Sequence, residues 1–109
     1  MLAGLLGSVN KERVLVYLAA RGRGYAREVA RFFDAPLSPV QGALDRLEQA
    51  GVLVSRSVGA TREYEFNPRY AARAELARLL DRAVELYPPA LRDRLLLRRS
   101  RPRRRGKPL

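Results

Sequence analysis

The 109-residue chain contains neither cysteine nor histidine. Without cysteine it cannot form disulfides, thiolate metal sites or a cysteine nucleophile, and an intracellular location is compatible with this. Without histidine it lacks the commonest general base and the commonest zinc ligand. Lysine is almost as scarce, since Lys11 and Lys107 are the only two, and neither lies in a setting typical of a serine–lysine nucleophile pair. We therefore expect a protein that is not an enzyme and that uses no cofactor or metal.

Long apolar runs are also absent from the sequence. The opening MLAGLLGSVN is apolar, but it has no basic segment before it and is too short for a signal peptide or a membrane span. The length favours a single domain with a core of its own. We expect a cytoplasmic, nucleoid-associated protein with no membrane partner.

Acidic residues are missing from the end of the chain, where the positive charge is concentrated. The formal net charge is +11, yet residues 98–109 hold seven basic residues and the other 97 residues hold 15 basic against 11 acidic ones. This concentration of positive charge favours nucleic acid as a partner over a membrane, because no basic amphipathic helix with bulky aromatics adjoins the charged segment. We predict a tail that is disordered alone and that contacts nucleic acid through Arg101, Arg103, Arg104 and Arg105. The alternative is a solvated appendage.

The most informative segment is residues 37–51, LSPVQGALDRLEQAG. Ser38, Pro39 and Gln41 have the spacing of a capping box, so we predict that a helix begins there. Gly51 is a typical residue for ending it. Between these signals, three apolar residues recur at helical spacing and predict one buried stripe: Val40, Leu44 and Leu47.

Two further helices are predicted before this segment. The pattern of residues 9–20 is amphipathic, with Ser8 as the N-cap, and the sequence RGRG at residues 21–24 ends that helix. A second helix is predicted over residues 25–33. It would turn Tyr25, Val29, Phe32 and Phe33 toward the core, and it would turn Arg27 and Arg31 outward together, one turn apart.

After Gly51 the apolar period changes from helical to alternating. Residues 52–57 and 62–67 therefore predict an antiparallel hairpin with its turn at Gly59 and Ala60. Residues 71–86 return to the helical period, and two prolines end that helix. A short helical stub over residues 90–97 precedes the tail.

Helix, helix, helix, hairpin, helix is the order of a winged helix-turn-helix. The residues resemble the ArsR-like family of bacterial transcriptional regulators over about residues 5–87. Four segments carry the resemblance: LGSVNKERVLVYLAARG, REVARFF, LDRLEQAGVLVSR and GATREYEF. The expected fold is mainly α with a small antiparallel β-hairpin, a winged helix-turn-helix with a C-terminal dimerisation helix. Residues 1–87 would form this domain, and residues 88–109 the stub and tail.

The resemblance implies a homodimeric regulator, most simply a repressor, that binds a pseudo-palindromic site in double-stranded DNA. The third helix would enter the major groove, and the wing would lie along the backbone or minor groove. First and last helices form the dimer interface in the family, which here implies Leu2, Leu5, Leu6, Leu76, Leu80, Ala83 and Tyr87. Metal sensing through cysteine and histidine is not carried over, and the sequence identifies no effector.

The residues predicted to contact DNA fall into three groups. The second helix crosses the backbone in this motif, so Arg27 and Arg31 are phosphate candidates. On the third helix the candidates are Ser38, Gln41, Gly42, Asp45 and Arg46. On the wing they are Arg56, Thr61 and Arg62.

Three of these positions have alternatives that the sequence leaves open. Gln41 either contacts adenine or completes the cap with Ser38. Gly42 either permits close approach of the backbone to DNA or leaves the surface without a side chain that contacts bases. Arg46 either contacts DNA or is solvated. Because Asp45 would repel phosphates, a second function is also considered: a winged-helix protein-interaction module whose tail binds RNA or another polyanion without specificity.

Overall fold

The computed structural model describes residues 1–97. The tail arginines Arg101, Arg103, Arg104 and Arg105, and the prediction of disorder there, lie outside the described residues. The elements of the described part follow one another as α1 (Ala3–Leu6), α2 (Val9–Arg21), β1 (Arg23–Tyr25), α3 (Ala26–Phe32), α4 (Leu37–Gln49), β2 (Leu53–Val58), β3 (Thr61–Phe66), α5 (Arg73–Glu85) and α6 (Pro89–Leu97).

Helix α2 is the centre of the core. It packs against α1, α4, α5 and α6, while α3 packs against α4. As predicted, Ser8 caps α2, since its Oγ accepts a hydrogen bond from the Lys11 backbone N–H at 3.1 Å. The valine and leucine side chains of α2 and α4 with an exposure of 2% or less are Val14, Leu15, Val16, Leu18, Val40 and Leu44. Burying each of them contributes about 1.5–3 kcal/mol to folding.

Helix α3 confirms the predicted second helix with slightly shorter bounds. Val29 is fully buried, whereas Tyr25, Phe32 and Phe33 are only half-buried. The Glu28 carboxylate accepts a hydrogen bond from the Tyr25 backbone N–H at 2.9 Å, which fixes the start of the helix.

The predicted hairpin is confirmed, with strand bounds shifted by one residue. β2 and β3 pair antiparallel from Leu53 opposite Phe66 to Val58 opposite Thr61. The sheet has a third strand that was not predicted, because β1 pairs with the other edge of β3 to give the order β1-β3-β2. Gly24 permits this strand: a Cβ at Gly24 would lie 2.9 Å from the Tyr17 ring.

The start of helix α4 differs from the prediction, whereas its end agrees with it. It begins at Leu37, after Pro36, and no side chain caps it. The predicted capping box is therefore wrong, because Ser38 already lies inside the helix. The predicted end is confirmed: Gly51 has φ +82°, and its N–H and that of the next residue, Val52, donate to the Glu48 and Leu47 carbonyls at 3.0 Å. This pair of bonds is a Schellman motif.

Helix α6 lies on the end of α2. Leu95 is fully buried, and the Arg21 guanidinium donates to the carbonyls of Leu95 at 2.8 Å and Arg94 at 3.0 Å. The Arg94 guanidinium in turn lies 4.6 Å from the centre of the Phe32 ring, a cation–π distance. The helix predicted as a stub thus packs on the domain, and it connects the end of the described chain to α2 and α3.

Three of the residues predicted for the dimer interface belong to the core of the protomer instead. Leu2, Leu80 and Ala83 are 2%, 0% and 0% exposed. The reason is that α5 and the segment before α1 use their apolar sides against α2. Of the others, Leu5 is 74% exposed, and the half-buried ones are Leu6, Leu76 and Tyr87.

Tyr87 is bound through its hydroxyl to the first turn of α2. The hydroxyl donates to Glu12 Oε2 at 2.8 Å, while Glu12 Oε1 accepts from the Leu2 backbone N–H at 2.9 Å. Burial, followed by the hydrogen bond to Glu12 and its negative charge, raises the pKa of Tyr87 well above its usual value near 10.

This raised pKa predicts a loss of stability in alkali. Above pH 10 the unfolded chain ionises Tyr87 while the folded protein keeps it protonated, so the free energy of unfolding falls as the pH rises, by at most about 1.4 kcal/mol per pH unit for one such group. Urea denaturation at pH 9 and pH 11 checks this. We expect a smaller fall for Tyr87→Phe, and an equal fall in both proteins would contradict the assignment.

Candidate nucleic-acid interface

One side of α4 is packed and the other is open to solvent. The predicted stripe is buried, with Ala43 added to it. On the opposite side the exposed residues are Ser38, Pro39, Asp45, Arg46 and Gln49, and Gln41 and Gly42 are half-exposed. α4 thus presents a polar surface that the protomer does not cover.

A groove separates the open side of α4 from the hairpin. It encloses a cavity of about 400 Å³, bounded by α4, the tip of the hairpin and the start of α3. Five of the predicted contact residues line it: Arg27, Gln41, Asp45, Thr61 and Arg62. The fold therefore brings together candidates from all three predicted groups, while Arg31, Ser38, Gly42, Arg46 and Arg56 lie outside this lining.

The floor of the groove is a cluster of three hydrogen-bonded side chains. Gln41 Nε2 donates to Asp45 Oδ1 and to Tyr64 Oη, both at 3.0 Å. Tyr64 Oη donates to Asp45 Oδ1 at 3.3 Å, and the ring of Tyr64 is buried in the core. Both N–H groups of the Gln41 amide are therefore bound within the protein. They do not cap the helix, and they are not free to contact a base.

Sequence reasoning missed Tyr64 as part of this site. Tyr64 belongs to the alternating pattern that predicts the hairpin, and that pattern carries no signal for a partner of its hydroxyl. Burial is the largest cause that raises the pKa of Tyr64, with the charges of Asp45 and Glu48 adding to it and the Gln41 hydrogen bond opposing it. The hydroxyl thus stays protonated at neutral pH and keeps its place in the cluster.

The two arginines of the hairpin, Arg56 and Arg62, have hydrogen-bond partners inside the protein, and the partner of Arg56 is a carboxylate. Arg56 faces Glu63 across the two strands, and its Nη2 lies 2.9 Å from Glu63 Oε1. Arg62 Nη1 donates to Ser55 Oγ at 3.0 Å, and that hydroxyl donates to Glu48 Oε2 at 2.6 Å. A phosphate that binds Arg56 must therefore compete with a carboxylate already in place.

The predicted contact residue Thr61 also has a partner inside the hairpin. Its hydroxyl donates to the Val58 carbonyl at 2.8 Å, across the turn. Thr61 is exposed, so its hydroxyl oxygen still has capacity to accept a hydrogen bond.

The arginines of the helices differ from those of the hairpin. Arg27, Arg31 and Arg46 are exposed, and within residues 1–97 none of them is in an ion pair. Arg46 lies back along its helix, because its Nη1 is 3.3 Å from the place of a Cβ on Gly42. The small size of Gly42 thus leaves room for that guanidinium, a role that neither sequence alternative included.

Neither a metal-binding cluster nor a membrane-spanning helix is present in the described part of the chain. Residues 1–97 contain no group of three or more acidic, cysteine or histidine side chains that would hold a metal ion. No helix in this range is both long enough and apolar enough to cross a membrane.

The helices α2, α3 and α4, followed by the β2–β3 hairpin as the wing, define a winged helix-turn-helix fold. The chain is similar to the crystal structure of the adhesin competence repressor (AdcR) from Streptococcus pyogenes, with a TM-score of 0.55 and 17% sequence identity over 87% of this chain and 74% of that chain. No protein-family model and no curated protein matches the sequence. The expected fold class is thus confirmed, while the dimerisation helix and the ArsR-like family stay predictions.

Proposed function

We propose that this protein is a DNA-binding transcriptional regulator, a homodimeric repressor that binds a pseudo-palindromic site. The observation that carries the proposal is the open side of α4 beside the wing, with Arg27 and Arg31 unpaired within residues 1–97 on the preceding helix. The fold likeness to a protein titled a repressor agrees with it. Cytoplasmic location, association with the nucleoid and membership of the ArsR-like family are part of the same proposal, which includes no effector.

The geometry suits a helix in the major groove. The first turn of α4 would approach the base edges, as recognition helices of this motif do, and its free backbone N–H groups around Ser38 would suit a phosphate. Arg27 and Arg31 would bind the sugar–phosphate backbone on one side of the groove. The wing would follow the backbone on the other side, where Arg62 lines the cavity.

The dimer in this proposal uses the apolar residues that the protomer leaves open. Leu5 and Leu86 are 74% and 54% exposed, and Leu6, Leu76 and Tyr87 are half-buried. Two copies joined by two-fold symmetry would present their α4 helices about 34 Å apart, one turn of DNA. A pseudo-palindromic site follows from that symmetry.

The second candidate is a protein-interaction module with a basic tail for non-specific nucleic-acid contact, RNA included. It is favoured by the exposed carboxylate of Asp45 on α4 and by the pairing of Arg56 with Glu63. Both features lower the attraction of this face for phosphates.

Selection of bound duplexes from a random library separates the two candidates. A regulator enriches one short sequence with two related halves, and it enriches the same sequence after removal of residues 98–109, although with weaker binding. The control is light scattering of the same samples, which we expect to give a dimer. Binding without sequence preference that disappears with the tail would contradict the regulator and support the second candidate.

A further inference from the structure

The amide of Gln41 has one group left for an external partner. Its Nε2 hydrogens are bound by Asp45 Oδ1 and Tyr64 Oη at 3.0 Å. Within residues 1–97 no donor is found for its Oε1. Because the amide nitrogen is held toward the wing, Gln41 offers an acceptor and no donor.

Asp45 adds a second acceptor one turn further along α4. Its side chain is exposed, and its Oδ1 accepts from both Gln41 and Tyr64. No donor within the described part of the chain reaches its Oδ2. An ionised carboxylate only accepts hydrogen bonds. The open side of α4 thus carries two neighbouring acceptors at positions i and i+4, which lie on the same face of a helix.

This arrangement discriminates among base edges in the major groove. Cytosine presents the N4 amino donor, whereas guanine presents two acceptors and thymine presents the O4 acceptor and a methyl group. Adenine has an amino donor beside the N7 acceptor, and a bidentate contact to it needs a free amide N–H. Gln41 has none free, and an acceptor facing an acceptor leaves a desolvated charge unpaired, which acts against the wrong base.

We propose that Gln41 and Asp45 form an acceptor pair that selects cytosine through its amino group, and that Tyr64 is the residue that positions the pair. This inference rests on the proposed function, since it assigns base specificity to the same helix. Tyr64 reaches the pair from β3, so the wing sets the orientation of a side chain on α4. The Asp45 carboxylate, unfavourable near phosphates, is favourable at this one base.

The test is duplex selection with the full chain and three variants. The unmodified protein is expected to prefer cytosine at one position of each half-site by about tenfold or more over guanine. Asp45→Asn gives the side chain an N–H donor beside its oxygen, so the preference at that position is expected to shift from cytosine to adenine, with the flanking positions unchanged. The matched control is Asp93→Asn, the same substitution at an exposed aspartate of α6 that does not line the groove, and it should leave every preference as it was.

Tyr64→Phe tests the positioning role. It removes the acceptor for one Gln41 N–H, so adenine is expected to be tolerated at the same position while the rest of the site is kept. Circular dichroism and thermal unfolding establish that this variant is folded. If Tyr64 acted only in packing, phenylalanine would keep the ring in the core and leave the base preference intact, which would overturn the positioning role.

The outcomes separate this inference from the proposed function. If the full chain selects a two-part site but Asp45→Asn changes no base preference, the acceptor pair is overturned and the regulator stands. If neither the full chain nor any variant selects a sequence, the regulator and the acceptor pair are both overturned. A preference for cytosine that moves with Asp45 supports both.

Discussion

A Leu44→Ala substitution is expected to lower the free energy of unfolding by about 2–5 kcal/mol. Leu44 is fully buried on the packed side of α4, among the side chains that α2 contributes to the core. Truncation removes apolar packing and leaves a cavity in the place where α4 is attached. Because small domains have a total stability of about 5–15 kcal/mol, this is a large fraction of it. Urea denaturation followed by circular dichroism measures the loss.

The matched control on the same helix is Gln49→Ala. Gln49 is exposed, so its truncation should change stability by no more than about 0.5 kcal/mol. A loss below about 1 kcal/mol for Leu44→Ala would contradict the packed position of α4. The difference between the two variants also separates core packing from helix propensity, since both place alanine in α4.

The start of α4 shows where prediction from sequence ends. The apolar stripe and the glycine stop are local patterns, and the structure confirms both. The predicted cap is wrong because the helix begins before Ser38, at Leu37, and because the Gln41 amide binds Asp45 and the hydroxyl of Tyr64, which is 23 residues away. A spacing of four residues is evident in the sequence, whereas a contact between a helix and a wing depends on the folded chain.

The strand β1 and the packing of α6 escape prediction for the same physical reason. β1 has three residues, too few for a period, and it exists because β3 offers a free edge and Gly24 fits against Tyr17. α6 is held by Arg21, 74 residues from Leu95 in the chain. Long-range partners of this kind leave no signal in the local pattern, which predicts α6 only as a stub.

The candidate site is predictable in position but not in charge. Exposure of Arg27, Arg31 and Arg46 follows from helical geometry, and the hairpin alternation places Arg56 on a strand. The neutralising partner of Arg56 depends on strand register, which sets Glu63 directly opposite. Of the two predicted sources of backbone affinity, α3 and the wing, the structure therefore favours α3.

Replacing both Arg27 and Arg31 by alanine is accordingly expected to weaken duplex binding by about 10- to 100-fold at low salt. This weakening corresponds to about 1.4–2.8 kcal/mol for the two arginines together. It is smaller than the sum of two full charge-assisted hydrogen bonds, because both guanidinium groups are exposed and their contacts are screened by water and salt. The weakening should be uniform across sequences, since phosphates carry no base information. The salt dependence of log K should become shallower by about 2, close to 0.9 for each phosphate that is no longer neutralised.

The matched control is Arg78→Ala with Arg82→Ala. This pair has the same spacing and removes the same charge, but it lies on α5, which packs against α2 rather than beside the groove. If affinity and salt dependence fall equally in the two double variants, binding depends only on the total positive charge of the protein, and α3 does not contact the phosphates. A weakening confined to the α3 pair instead means that α3 lies along the backbone, which orients α4 toward the base edges that Gln41 and Asp45 would contact.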